Sequence, residues 1–291
     1  MPSKADLSGT TLPRRQLGRA LRDARHAHGS TLEQVARDTE FSRATLSRIE
    51  LGQYERIKVR EVEFLCRYYG LPDERTRYLK AVAAQSNTSV WWQDFRHLLG
   101  GGFTTYLELE SSATEIQVFQ PLIVPGLLQT AEYAEQIFSA YSPGDSRDTI
   151  AEKVELRMRR CVRLTQKHRR VQIEFVIHES VFHAAVGSSR IMAAQCRHIA
   201  DMSLRDNIEV RVLPFSAGIP TGGVITPFIV LAFPDEEPQS VYAEAALGSI
   251  TFDDAEDVRR YRSLYESIRL ATLDETASRD RIRKTARRFE Q

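Results

Sequence analysis

Four residues near the amino terminus have side chains suited to reading the edges of DNA bases. They are Arg43, Ala44, Ser47 and Arg48. A guanidinium group can form a bidentate pair with guanine, and a small side chain can pack against the methyl group of thymine. Leu46 and Ile49 lie three residues apart, so another stripe of the same segment can face inward. The pattern predicts a recognition helix that presents the four residues to the major groove.

Two helices and a tight turn would hold this reading surface in place. The stretch from Ser30 to Gly52 contains two polar helix starts, at Thr31 and at Ser42. Each hydroxyl can accept a hydrogen bond from the unpaired N–H groups of the helix that follows, and Thr31 with Gln34 has the spacing of a capping box. The stretch is therefore interpreted as a helix-turn-helix.

Four residues around this motif are predicted to contact DNA phosphates. They are Thr31, Ser42, Arg56 and Lys58. The last two lie in the loop after the recognition helix, where contacts to the backbone would position the protein on a duplex. Residues 1–86 contain sixteen Lys and Arg against eleven Asp and Glu, a net charge of +5, whereas the whole chain has +1. The basic excess therefore lies on the helix-turn-helix, as a phosphate-binding surface requires.

The segment resembles the xenobiotic-response-element (XRE) family of helix-turn-helix domains. The matching residues are Thr31, Val35, Ala36, Ser42, Thr45, Leu46, Ser47, Ile49, Glu50 and Gly52. The resemblance implies that Glu50 pairs with Arg25 of the preceding helix, a structural ion pair that fixes helix orientation. The sequence departs from the family at Leu32, where a Gln is usual, and at Glu40, where a turn glycine is usual. Either Glu40 is strained at positive φ, or the turn differs from that of the family.

The chain is predicted to form an amino-terminal all-α domain and a carboxy-terminal α+β domain. Residues 1–13 are polar and are predicted to be a flexible arm, and residues 14–86 contain five predicted helices. By the resemblance, these form a lambda-repressor-like DNA-binding domain. A polar stretch at residues 87–89 is predicted to be the boundary, and the second domain is predicted to span residues 90–291.

Within the second domain, segments rich in β-branched and aromatic residues predict strands, and amphipathic segments predict helices. The predicted strands are Val171–Ile177, Ile208–Leu213, Phe228–Phe233 and Val241–Ala245. The predicted helices are Thr149–Thr165, Arg190–Met202 and Ala255–Leu273. Together they predict a small antiparallel or mixed sheet with packed helices.

Several segments of this domain resemble a subgroup of XRE regulators, the WhiJ-like or antitoxin-like regulators. The segments include YLELESSATEIQVFQPLIVPGLLQTAEYAEQIF from Tyr106, EKVELRMRRCVRL from Glu152, IHESVFHAAVG from Ile177 and NIEVRVLPFSAG from Asn207. Their shared order along the chain makes the resemblance specific. Members are often encoded beside a small partner protein, so the resemblance implies such a partner here.

The second domain contains no motif that predicts a catalytic residue, a cofactor or a metal. His178, Glu179 and His183 suggest H-E-x-x-H, but the histidines lie at i and i+5, so they would not share one helix face. No serine has the G-x-S-x-G frame of a nucleophile elbow. The three cysteines are far apart and are predicted to be buried thiols in a reducing compartment. They are Cys66, Cys161 and Cys196.

Hydropathy predicts a cytoplasmic protein that does not contact a membrane. No apolar run approaches the roughly 20 residues that cross a bilayer. Residues 1–15 lack the apolar core of a signal peptide. We therefore expect the protein in the cytoplasm, on the nucleoid.

Together these patterns predict a sequence-specific DNA-binding transcriptional regulator that is not an enzyme. One short recognition helix reads only a few base pairs, so useful specificity predicts a homodimer on an inverted repeat of double-stranded DNA. The second domain would dimerise and receive a signal from a partner protein, or from a small-molecule effector near the loop Pro214–Pro227. One alternative is an antitoxin-like protein whose main role is to bind a small partner. Another is a helical bundle that never binds DNA.

Overall fold

The computed structural model describes most of the chain. The described residues are 12–54, 56–86, 91–164, 171–234, 237–245 and 248–291. They form two compact units, Met1–Ser112 and Ala113–Gln291. Residues 1–11 of the predicted arm and the predicted boundary at residues 87–89 lie outside the described residues, so both stay predictions.

The described part of the first unit is helical, and for residues 14–86 this is what the sequence predicts. Its first five helices are α1 (Leu12–Ala27), α2 (Leu32–Asp38), α3 (Arg43–Glu50), α4 (Val59–Tyr68) and α5 (Asp73–Ser86). A 3-10 helix (Gln93–Leu98) and α6 (Gly101–Ser112) follow. The sequence reading did not predict these last two elements.

The core of the helix-turn-helix consists of apolar residues at helical spacing. Leu17 and Leu21 of α1 are buried four residues apart, and Val62 and Leu65 of α4 are buried three apart. Leu46 of α3 belongs to the same buried cluster. Because the apolar side chains recur on one face of each helix, the helices can only bury them by packing together.

The second unit is an α+β domain, which confirms the predicted fold class. Its strands are β1 (Glu115–Gln120), β2 (Gln172–His178), β3 (Ile208–Leu213), β4 (Phe228–Ala232), β5 (Ser240–Ala245) and β6 (Gly248–Phe252). Its helices are α7 (Ala131–Tyr141), α8 (Arg147–Leu164), α9 (Ser189–Met202), α10 (Ala255–Leu270) and α11 (Glu275–Phe289). Sequence patterns predict β2 to β5, α8, α9 and α10, whereas β1, β6, α7 and α11 were not predicted.

The six strands form one mixed sheet in the order β3-β2-β1-β4-β5-β6. Strands β1, β2 and β3 run parallel, with Glu115 opposite Gln172 and Ile173 opposite Ile208. Strands β4, β5 and β6 continue the sheet antiparallel from β1. Long crossovers that contain helices join the parallel strands, as parallel pairing requires. Helix α10 packs on one face, where Tyr265 and Ile268 join the buried cluster.

The three cysteines are free thiols. Cys66 and Cys196 are buried, whereas Cys161 is half-buried. Burial raises the pKa of the Cys66 thiol and raises the pKa of the Cys196 thiol to about 12. A thiol with a raised pKa is a poor nucleophile, so Cys66 and Cys196 act as small apolar residues. None of the helices in the described part of the chain has the length and apolar character of a membrane-spanning segment.

Glu108 on α6 is a carboxyl group with unusual surroundings. Its side chain is buried, and its Oε2 atom has no hydrogen-bond partner among the described residues. Burial raises the pKa of Glu108 to about 7, although the positive charges of Arg14, Arg96 and Arg15 lower it in part. Because the unfolded chain would ionise this group near its ordinary value of 4.5, folding should depend on pH.

We predict that Glu108→Gln makes the protein more stable at pH 8 and removes part of its pH dependence. Relative to high pH, the raised pKa adds on the order of 3 kcal/mol to the free energy of unfolding below about pH 4.5. This contribution is lost as the pH rises to about 7. Urea-induced unfolding at a series of pH values would measure the free energy. Glu74→Gln, at an exposed position on α5, is the control and should leave the profile unchanged. Parallel profiles for Glu108→Gln and the parent would contradict the prediction.

Candidate nucleic-acid interface

Side-chain caps define the beginnings of the two helices of the motif. The Thr31 hydroxyl accepts a hydrogen bond from the Gln34 N–H (3.2 Å), and the Gln34 Oε1 accepts one from the Thr31 N–H (2.7 Å). This is the capping box that the sequence predicts. The Ser42 hydroxyl accepts from the Thr45 N–H (3.1 Å) and so caps α3. Each hydroxyl thus accepts a hydrogen bond from the backbone of its own helix, and the Ser42 hydroxyl also lies 2.8 Å from the Thr45 hydroxyl.

The turn between α2 and α3 is made by Thr39. This residue is extended, with φ −132° and ψ 172°, directly after the last residue of α2. Its Oγ1 donates to the Val35 carbonyl (2.7 Å) and accepts from the Phe41 N–H (3.3 Å). A threonine side chain therefore supplies the bonds that close this turn. Of the two alternatives for Glu40, this geometry favours a turn that differs from the glycine turn of the XRE pattern.

Helix α3 buries one face and exposes the other. Leu46, Ile49 and Glu50 are buried. Of the predicted base readers, Arg43, Ala44 and Arg48 are exposed and Ser47 is half-buried. The helix ends in a Schellman motif, in which the Gln53 N–H donates to the Arg48 carbonyl (2.7 Å) and Gly52 has a φ of 70°. The positive φ explains the glycine, because other residues are strained in that conformation.

A buried ion pair fixes α3 against α1. Arg25 Nε donates to Glu50 Oε1 (2.6 Å), and Arg25 Nη2 donates to Glu50 Oε2 (2.9 Å). A third bond runs from Arg25 Nη1 to the carbonyl of Ser30, just before α2 (2.8 Å). The hydrogen bond to Glu50 raises the pKa of Arg25 above its ordinary value. One guanidinium group therefore connects α1, the end of α3 and the entry to α2.

Gly18 on α1 permits the close approach of α3, a role that the sequence reading missed. A Cβ atom at this position would lie 2.5 Å from the Ile49 carbonyl oxygen and 2.7 Å from the Glu50 carbonyl oxygen. Contacts this short with backbone atoms would force the helices apart. A glycine within an otherwise regular helical pattern was the available signal, because glycine there costs stability unless packing requires it.

Two predicted DNA contacts lie close to carboxylates in the free protein. The Arg43 guanidinium lies 2.6 Å from the Glu33 carboxylate of α2, and both side chains are more than half exposed. The Lys58 ammonium lies 3.8 Å from Glu61. Exposed pairs of this kind contribute at most about 1 kcal/mol. Arg43 can therefore leave Glu33 at little cost, but its starting orientation is set by that carboxylate.

An open groove brings several of the predicted contacts together. It has a volume of about 1190 Å³ and lies between the α2–α3 turn, the end of α3 and the start of α4. Its lining includes Ser42, Arg48, Arg56 and Lys58. Arg37 and Arg60 also line it, and the sequence reading did not select either. The other predicted contacts, Thr31, Arg43, Ala44 and Ser47, are not part of the groove lining, so the candidate surface extends beyond it.

In the second unit, the H-E-x-x-x-H residues lie at the end of β2. Glu179 accepts a hydrogen bond from the Phe215 N–H (2.9 Å) and pairs with Arg281. Burial alone would raise the pKa of Glu179, but these two partners outweigh it and hold the pKa below its usual value. Among the described residues, no group of three or more His, Cys, Asp or Glu could hold a metal ion. Glu179 therefore connects the end of β2 to α11 and to Phe215, two residues after β3.

Comparison with known families divides the chain in a similar way. Residues 103–284, more than half of the chain, match the model of a domain of unknown function, DUF5753. Residues 16–79 match the model of a helix-turn-helix domain. None of the curated proteins compared with the chain matches it.

We predict that breaking the Arg25–Glu50 pair costs more stability than replacing both partners. Glu50→Ala should destabilise the protein by about 3 to 5 kcal/mol, because it leaves a buried guanidinium without its counter-ion. The double variant Arg25→Met/Glu50→Leu removes both charges and should lose less. Urea-induced unfolding would measure the three free energies. Equal losses in the single and double variants would show that the pair is not an energetically coupled unit.

Proposed function

The chain belongs to the DUF5753 family and contains an amino-terminal helix-turn-helix domain, and from this we propose that it is a sequence-specific DNA-binding transcriptional regulator. The main support is the presentation of α3. Its apolar face is buried, Glu50 ties it to α1, and Arg43, Ala44 and Arg48 face outward. A helix held in this way can enter the major groove without losing its own packing.

The proposal includes a homodimer that binds an inverted repeat. Two recognition helices are needed because α3 has only eight residues and reads only a few base pairs. In this proposal Arg43, Ala44, Ser47 and Arg48 read bases, while Thr31, Ser42, Arg56 and Lys58 contact phosphates. The protein would act in the cytoplasm, on the nucleoid.

The second unit would dimerise and receive a signal, and the proposal assigns it no reaction. Two kinds of signal fit the loop after β3, a small molecule and a protein partner. The loop exposes three apolar side chains, Phe215 (55%), Ile219 (68%) and Val224 (98%), which could contact either kind of signal. The sequence resemblance to WhiJ-like or antitoxin-like regulators supports the protein partner, with autoregulatory DNA binding as the alternative role of the first unit.

Selection from a randomised duplex pool tests the proposal directly. The purified full chain would be incubated with the pool at moderate salt, and the retained duplexes would be sequenced. We expect enrichment of an inverted repeat. Failure of a folded protein to enrich any sequence would contradict the proposal.

We predict that Arg48→Ala weakens binding to the selected site by about 1 to 3 kcal/mol and relaxes the preference at one base pair. The reason is the loss of a bidentate contact with a base edge. Titration of cognate and scrambled duplexes would measure the effect. Arg67→Ala, which removes an exposed arginine of α4 that pairs with Glu63, is the control and should change neither affinity. An equal loss on both duplexes would make Arg48 a phosphate contact instead.

We predict that Glu33→Gln raises affinity for scrambled duplexes and reduces discrimination by on the order of 1 kcal/mol. The change removes a negative charge near the DNA and frees Arg43 to bind any nearby phosphate. The ratio of cognate to scrambled affinity measures the effect. Glu33→Asp keeps the charge and should keep the affinity for scrambled duplexes near that of the parent. An unchanged ratio in Glu33→Gln would show that Glu33 does not orient Arg43.

A further inference from the structure

The two edges of the sheet differ in how their backbone groups are satisfied. At the β3 edge, the Val212 N–H donates to Ser278 Oγ of α11 (2.9 Å), and the Val212 carbonyl accepts from the Leu273 N–H (2.9 Å). At the other edge, β6 pairs only with β5 in the part of the chain that the structure describes. An uncovered edge is a template for another strand.

The hydrogen-bond pattern shows which groups of β6 point outward. The Glu244 N–H of β5 donates to the Pro227 carbonyl (3.4 Å), next to the start of β4. The backbone N–H and C=O groups of successive residues in a strand point to opposite sides. Those of Ala243 therefore point away from β4, toward its Cα partner Ile250 on β6. The backbone groups of Ile250 are therefore used within the sheet. Those of Ser249 and Thr251 point out of the open edge.

Strand β6 lacks two of the features that usually keep an edge from pairing. Its sequence is GSITF, without a charged residue and without proline. The Ile250 side chain is 56% exposed. It lies on the same face as that of Ala243, its Cα partner, which belongs to the core beneath α10. The edge thus combines backbone groups that no described residue bonds with an apolar side chain at the margin of the core.

We propose that β6 pairs antiparallel with β6 of a second copy of this chain, around a two-fold axis beside Ile250. In this register Ser249 lies opposite Thr251 of the partner subunit. The outward N–H and C=O groups of Ser249 then bond those of Thr251 of the partner subunit, and the outward groups of Thr251 bond those of Ser249 of the partner subunit. The two Ile250 side chains become a non-hydrogen-bonded pair with Cα atoms about 4.5 Å apart.

A second copy is the occupant that the edge fits best. A two-fold contact uses the same surface twice, so the surface must complement itself. Because β6 carries no charged side chain, the axis brings no like charges together. The role of this dimer rests on the proposed function, since an inverted repeat with two half-sites requires two chains.

Strand pairing alone buries less than the roughly 1,000 Å² of a stable interface. The free dimer is therefore weak. Adjacent half-sites on DNA strengthen it by holding two copies at high effective concentration.

Disulfide trapping tests the register without DNA. Each cysteine variant is made in a Cys161→Ser background, because Cys66 and Cys196 are buried. Under mild oxidation Ile250→Cys should form a linked dimer. Ser249→Cys alone and Thr251→Cys alone should not, because their own copies lie about 8 Å apart across the axis, beyond disulfide reach.

An equimolar mixture of Ser249→Cys and Thr251→Cys should link, since these residues oppose each other about 5.5 Å apart. Absence of a link at residue 250, or equal linking at all three positions, would overturn the proposal. Circular dichroism confirms that each variant is folded before oxidation.

DNA binding separates this proposal from the proposed function. Thr251→Pro removes an outward N–H and leaves the bonds to β5 intact, so it should abolish cooperative binding to an inverted repeat while binding to one half-site remains. Thr251→Val keeps the N–H and is the control. The linking pattern without any selected sequence would uphold the β6 pairing and contradict the proposed function. A selected inverted repeat without the linking pattern would uphold the proposed function and contradict the β6 pairing.

Discussion

The arrangement of the helix-turn-helix depends on one buried guanidinium group. Arg25 bonds both oxygens of Glu50 and the carbonyl of Ser30. It therefore sets the position of α3 and of the entry to α2 together. Removing two charges from water is costly, so such a pair contributes more to a unique geometry than to stability. The contact also requires Gly18, because any side chain there would meet the last carbonyls of α3.

The proposed DNA-binding surface is less basic than the net charge of +5 over residues 1–86 indicates. Glu33 lies against Arg43, and Glu61 lies near Lys58. These carboxylates reduce the general attraction for phosphate that would otherwise hold the protein on any duplex. In the proposed function, recognition would then depend more on base-edge contacts made by α3, whose position the Arg25–Glu50 pair fixes.

The two edges of the sheet in the second unit differ, because one is bonded by neighbouring elements and the other is open among the described residues. Its parallel half is protected, since Ser278 of α11 bonds the Val212 N–H and Leu273, just before α11, bonds the Val212 carbonyl. Arg281 of α11 also pairs with Glu179. Its antiparallel half ends in β6, whose outward backbone groups are open among the described residues. A signal received by this unit would have a route to DNA affinity if it changed the pairing of that edge, because the spacing of the two reading helices would change with it.

Local sequence patterns determined the five helices, their caps at Thr31 and Ser42, and the α+β class of the second unit. Caps and helical periodicity act over three or four residues, so they can be read without tertiary structure. Strand β1 was missed because the alternation in its sequence, EIQVFQ, stops after four residues. It becomes a strand because β2 and β4 flank it on both sides.

Only the tertiary structure decided the roles of Gly18, Glu33 and β6. Gly18 and Glu33 depend on contacts with α3, a separate helix. The role of β6 depends on its having a neighbouring strand on only one side among the described residues. No local pattern encodes how closely α1 approaches α3, which carboxylate faces Arg43, or which sheet edge stays open, because these result from the packing of whole elements.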